Sequence, residues 1–188
     1  MGLWTAPEGT FTIEEFQRLP LEGRRWELLD GVVVQMEMHG AKTSLLTGSL
    51  LVLIHQHVKD RGLGKTLDPG CGFRLWPGHE TVRVTDISVT HHDRIPDERA
   101  WNDYPRIAPN LTVEVFSPFE RPATAIGRIA MFLQAGTRLT WFIDPKSKTV
   151  MLFHADIAPI VLKEGDTLDG EDVLPGFSIP VAEIFAED

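Results

Sequence analysis

The chain has 188 residues, 43% of them hydrophobic and 24% charged, with a formal net charge of −9. That length and composition fit one folded domain spanning 1–188 and exclude wholesale disorder. The negative balance argues against a general nucleic-acid coat but leaves room for a local basic cleft, and the single cysteine, Cys71, rules out an internal disulfide and fits a reducing cytoplasm.

The first residues, Met1-Gly-Leu-Trp-Thr-Ala-Pro-Glu8, carry neither a basic nor an apolar targeting region. Thr12-Ile-Glu-Glu15 has the spacing of a capping box, so a short helix is predicted to start there and end near Pro20. The stretch from Trp26 to Met36 reads as two strands joined at Asp30-Gly31, a favoured hairpin turn. From Lys42 to Asp60, apolar residues recur with helical period at Leu45, Leu46, Leu50, Leu53 and Ile54. Thr47, Gly48 and Ser49 interrupt this longest apolar stretch, and it is too short to span a bilayer, so no membrane partner is expected.

Strand-like pieces follow at Gly64 to Leu67, Gly72 to Trp76 and Thr81 to Val89, the last with Asp86 inside it. Residues 92 to 109, with Pro96, Pro105 and Pro109, read as a long surface loop. A strand at Leu111 to Phe116 holds Glu114 and stops at Ser117-Pro118. A helix from Ala123 to Ala135 then closes at Gly136. Leu139 to Ile143 and Thr149 to Phe153 form a strand pair, and the tail ends in a short helix at about Val181 to Phe185. The order predicts an α+β fold with an α/β-like core, a mixed central sheet flanked by helices. The unit from Glu114 to Ile143 should be a right-handed parallel crossover that places Glu114 in the sheet interior.

Asp86 and Glu114 stand out because carboxylates are mostly exposed. One inside an apolar strand must be paired, hydrogen-bonded or bound to a metal. Two readings are open: separate structural ion pairs, or a shared divalent-cation site of a metal-dependent hydrolase.

Four stretches together resemble the Uma-type endonuclease family of the restriction-endonuclease-like superfamily, whose signature is a PD-(D/E)xK motif. They are Trp26-Glu-Leu-Leu-Asp-Gly31, Val82-Arg-Val-Thr-Asp-Ile87, Pro109-Asn-Leu-Thr-Val-Glu-Val-Phe-Ser-Pro118 with the helix after it, and Leu139-Thr-Trp-Phe-Ile-Asp-Pro145 with the ending Leu174-Pro-Gly-Phe-Ser-Ile-Pro180. They run in family order over nearly the whole chain. The resemblance implies a restriction-endonuclease-like fold and a Mg2+-dependent endonuclease, with Mn2+ as a substitute ion. Asp86, Glu114 and the backbone carbonyl of Val115 would hold the metal, and nucleic acid, DNA first, would be the substrate. Homodimers are common in that superfamily. Hard cations take oxygen ligands, and such an ion activates water and neutralises charge on a phosphodiester. Glu27 matches an acidic position in the first hairpin and would support the metal or orient water; the alternative is a solvated or cross-strand paired Glu.

The chain also departs from the family pattern. Phe116 stands where the motif lysine is expected, and Arg128 matches the position to which relatives move it. Arginine brings a fixed charge and a bidentate fork but does not readily lose a proton; its alternative role is an ion pair with Glu120. Val32 replaces a second hairpin acid, Thr85 a proline, and Thr43 a histidine, with His39 nearby. These losses motivate a competing expectation, a degenerate nuclease fold acting as a binding or interaction module. A basic cleft around Arg128, with Arg83 or Arg74 contributing, would favour nucleic acid as the substrate.

Other motifs carry less. His91-His92 point to opposite faces of a strand, and His55 and His57 diverge on a helix. Ser117 lacks a nucleophile-elbow context, and Gly64-Lys65-Thr66 lacks the glycine a P-loop needs. Trp76, Trp101 and Trp141 are candidates for base stacking, with burial in the core as the alternative.

Overall fold

In the computed structural model, residues 7–21, 25–95 and 103–186 are described. Pro96 and Trp101, and with them the middle of the expected 92–109 loop, lie outside the described residues.

The capping box forms: Thr12 Oγ1 accepts the Glu15 N–H at 3.2 Å, and the Glu15 carboxylate accepts the Thr12 N–H at 2.8 Å. This starts α1 (Ile13–Phe16), which stops short of the expected Pro20. Strands β1 (Trp26–Leu29) and β2 (Val32–Gln35) pair antiparallel. Asp30 and Gly31 join them with φ of 47° and 83°. Two left-handed residues make the turn whose twist suits a hairpin.

Next come α2 (Ala41–Asp60), β3 (Gly64–Leu67), β4 (Gly72–Arg74), β5 (Val82–Val84) and β6 (Ile87–His91). They are followed by β7 (Leu111–Val115), α3 (Pro122–Gln134), β8 (Leu139–Asp144) and β9 (Thr149–Phe153). The chain then runs through β10 (Ile160–Leu162), β11 (Thr167–Asp169), β12 (Ser178–Pro180) and α4 (Val181–Ile184). A four-stranded antiparallel sheet has the order β2-β1-β5-β4, and a six-stranded sheet the order β10-β9-β8-β7-β6-β3. In the larger sheet only β7 and β8 run parallel, joined through α3 as expected, and Glu114 lies on an interior strand. The mixed sheet is flanked by helices on both faces. Leu50, Ile54 and Val58 of α2 pack with Ile87, Val89, Val113 and Trp141, whereas Ala125 and Ile129 of α3 pack with Phe142.

One expectation is corrected. Thr81 to Val89 is two strands, because the chain leaves the smaller sheet after Val84 and enters the larger one at Ile87. Asp86 therefore lies in the bend between sheets and not within a strand. Thr85 holds that bend: its hydroxyl donates to the Val113 carbonyl at 3.0 Å. No helix among the described residues is long and apolar enough to cross a membrane.

Candidate functional site

Strand alternation puts Leu111, Val113 and Val115 of β7 toward α2 and the main core. Thr112 and Glu114 consequently face α3. In the same way Ile87 and Val89 face the main core. The β6–β7 register pairs Ile87 with Val113. Asp86, in the bend just before that pair, reaches the β7 backbone next to Glu114 through its side chain. Both carboxylates are buried, at 2% and 3% exposure.

Neither carboxylate is isolated. Asp86 accepts from Arg25 Nη1 at 2.9 Å and from the Val115 N–H at 2.8 Å, and His39 Nε2 stands 3.6 Å from its Oδ1. Because a strand residue's N–H and C=O share one edge, the Val115 carbonyl also looks toward the Asp86 side. Glu114 Oε2 accepts from Arg128 Nε at 2.9 Å. Its Oε1 is buried with no hydrogen-bond partner among the described residues. The Thr85 hydroxyl, 3.0 Å from the Val113 carbonyl, is close enough to Glu114 to favour its charged form.

Burial is the largest influence on Glu114 and pushes its carboxyl up to about 7. Arg128 opposes this rise, and the charge of Asp86 adds to it. Burial disfavours the Arg128 cation, but Glu114, Glu27 and Glu120 outweigh it and hold its pKa above the ordinary arginine value. Arg128 Nη2 also reaches both Glu120 oxygens, at 2.9 and 3.0 Å. The expected pairing of Arg128 with Glu120 is present, and the same side chain also holds Glu114.

Glu27 is buried, and both its oxygens are used: Oε2 accepts from Arg83 Nη1 and Oε1 from the Val84 N–H, each at 2.8 Å. It is a paired residue on the neighbouring sheet, not a solvated one. Burial lowers the Arg83 pKa most; Glu27 opposes, and Arg128 adds to the lowering. Glu27, Arg83, Arg128, Glu120, Glu114 and Asp86 therefore form one buried charge cluster where the two sheets meet α3. Arg74 is elsewhere, beside Glu14 and Asp103.

Sequence reading missed Arg25, Glu120 as a fixed member of the cluster, and the direct approach of His39 to Asp86. The available signal for Arg25 was its position immediately before a strand with an acidic residue in it. Of the remaining candidates, Trp141 is fully buried in the core and His91 is committed to the Val173 carbonyl at 2.7 Å. Burial, reinforced by Asp68, pushes the half-buried Cys71 thiol up to about 11, which keeps it protonated near neutral pH.

Among the described residues no group of three or more His, Cys, Asp or Glu side chains is gathered to hold a metal ion. The oxygens left that would have to hold one are fewer: two carboxylates, one with an oxygen unpartnered among the described residues, and a strand-end carbonyl. These are hard oxygen donors of the kind Mg2+ takes, an ion that usually keeps several waters.

A family model, Uma2, described as "Putative restriction endonuclease", matches residues 13–182. Among solved structures, the chain is similar to a "putative nuclease belonging to DUF820" from Anabaena variabilis, with a TM-score of 0.80 and 25% identity. The match covers 93% of this chain and 97% of that one, and gives the fold as restriction-endonuclease-like. No curated protein matches the chain.

Proposed function

The chain belongs to the Uma2 family of restriction-endonuclease-like proteins, and from that premise we propose that it is a divalent-metal-dependent nuclease that hydrolyses phosphodiester bonds of DNA. The observation that carries this reading is two buried carboxylates near enough for one charge to act on the other, Asp86 in the bend before β6 and Glu114 on β7, each paired with an arginine. Asp86, Glu114 and the Val115 carbonyl would hold Mg2+, or Mn2+ in its place. That ion supplies a Lewis acid and a water of lowered pKa.

The protein's own part is positioning and charge. The Val115 N–H and Arg25 fix the Asp86 carboxylate, so its orientation does not depend on a bound ion. Arg128, at the position matching the motif lysine, is a permanent cation beside Glu114 and stabilises negative charge developing on phosphate oxygens. It does not act as a base. Glu27 is a positioning residue: it pins Arg83 and the end of β5, from which the chain turns to Asp86.

A second reading, a binding module without cleavage, is favoured by one observation. Each carboxylate already has its own arginine counter-ion. Incubating plasmid and single-stranded DNA with Mg2+, Mn2+ or EDTA, beside Asp86→Ala, separates the two. Metal-dependent cleavage lost in the variant supports the nuclease. DNA binding without cleavage supports the second reading, and equal cleavage by both proteins refutes the first.

A further inference from the structure

In a chain whose net charge is −9, α2 carries no acidic side chain before Asp60. At about 100° per residue, Ala41, Leu45, Gly48, Ser49, Val52 and Gln56 fall within about 60° of one line along the helix. All six are exposed, and they lie opposite Thr43, Thr47, Leu50, Ile54 and Val58, which are buried. A helix face turned to water ordinarily carries charge. This line carries none, and its two large side chains are apolar, with Leu45 72% and Val52 66% exposed. Beside Val52, a groove of about 520 Å³ between α2 and β3 is lined by Leu51, His55, Gln56, Leu67 and Asp68, among others. Gly48 adds a second sign. Glycine weakens a helix interior relative to alanine, yet a Cβ here would meet nothing within 4 Å. The fold of one chain gives no reason for that glycine, whereas close approach of a second backbone does.

The face is its own complement. Leu45 and Val52 are equidistant from the midpoint between Gly48 and Ser49, and so are Ala41 and Gln56. A two-fold axis through that midpoint, perpendicular to the helix, sets a second α2 antiparallel to the first. Leu45 then meets Val52 of the second copy, and Val52 meets its Leu45, the reciprocal contact by which symmetric dimers close. Gly48 and Ser49 lie at the crossing, where the two backbones come nearest. Leu45 of the second copy also reaches the rim of the groove between α2 and β3. Charge favours the same occupant: two strongly acidic chains repel each other over most approaches. Along this helix neither chain brings a carboxylate until Asp60.

We infer that α2 is the surface through which two copies of this chain associate, antiparallel about Gly48 and Ser49, with Leu45 and Val52 as the reciprocal apolar contact. The inference goes beyond the nuclease reading and stands whether or not the protein cuts DNA.

The test is sedimentation velocity of the full chain from about 1 to 100 µM, because association depends on protomer concentration. A reversible dimer is expected. Leu45→Lys and Val52→Glu each put an unpaired charge into a desolvated contact, so each should raise the dimer dissociation constant roughly a hundredfold. The double variant, Leu45→Lys with Val52→Glu, should restore association, because each new ammonium meets a new carboxylate across the axis. Within one helix those two positions are seven residues apart and do not pair as neighbours three or four apart do. Both are exposed in the single chain, so an unchanged circular dichroism spectrum separates lost association from misfolding.

A wild-type chain that stays monomeric at about 100 µM overturns the inference, whatever other molecule the face binds. A dimer indifferent to both single variants places the contact elsewhere and overturns it too. Loss in the single variants without recovery in the double variant overturns the antiparallel pairing, because a parallel pair sets like charges together.

Discussion

Replacing Arg128 by alanine tests the buried charge cluster most severely. Arg128 is 5% exposed and serves two acids, Glu114 through Nε at 2.9 Å and Glu120 through Nη2 at 2.9 and 3.0 Å. Without it, Glu114 Oε2 loses its donor, and Oε1 already lacks a partner among the described residues. Deleting one partner of a buried pair costs about 3–5 kcal/mol. In a protein of this size that lowers Tm by roughly 6–20 °C. The loss is pH-dependent, and its sign is fixed. The folded carboxyl of Glu114 is raised to about 7, against a reference value of 4.5, and removing Arg128 raises it further. The folded state then holds a proton that the unfolded state has released. Stability consequently falls as pH rises from near 4.5 to the folded value and levels off above it. Urea denaturation at about pH 8 should show the full deficit, and at about pH 5.5 a smaller one, because Glu114 then enters the folded state neutral. Adding Glu114→Gln should recover part of the loss at the higher pH. A deficit below about 1 kcal/mol at both pH values, the size of an exposed pair, would refute the reasoning.

Glu27→Ala leaves Arg83 buried without its carboxylate and the Val84 N–H without an acceptor, so urea denaturation should show a loss of about 3–5 kcal/mol; Glu27→Gln, which keeps an acceptor for Val84, should lose distinctly less. Because the Glu114 proton must leave before a cation binds, Mn2+ affinity measured by calorimetry should fall about tenfold per pH unit below 7 and flatten above it; a flat profile removes Glu114 from the site. In Gly64→Ala the new Cβ would stand 2.0 Å from the Thr90 carbonyl oxygen and 2.7 Å from the His91 Cα, so β3 should part from β6 at a cost of about 1–3 kcal/mol, visible as lost amide protection in β3. Cys71, raised from 9.0 to about 11, should react with a disulfide reagent at about pH 8 some hundredfold more slowly than an ordinary thiol.

Much of the fold was legible because local signals agreed with the global architecture. The capping box at Thr12, the Asp30-Gly31 turn, the helical period from Leu45 to Ile54 and the Gly136 stop each correspond to an observed element. Strands β10, β11 and β12 were not: they are three residues each, and hydrophobic period cannot be read over so few positions. The break at Thr85-Asp86 was hidden for another reason. Both flanking strands are buried and apolar, so the run from Thr81 to Val89 has one composition, and only pairing reveals that its halves belong to different sheets. The candidate site was legible as residue types, since carboxylates in apolar surroundings are costly unless compensated. The compensating arginines were less so. Arg25, Arg83 and Arg128 lie 14 to 61 positions from Asp86, Glu27 and Glu114, and such distances close only through tertiary structure.

The central claim is that Asp86 and Glu114 share one divalent cation. A crystal grown with Mn2+ and measured for anomalous scattering tests it most directly. The expected result is a peak touching both carboxylates and the Val115 carbonyl at about 2.0–2.6 Å. A map without that peak at saturating Mn2+, with the Arg25–Asp86 and Arg128–Glu114 pairs intact, would contradict it.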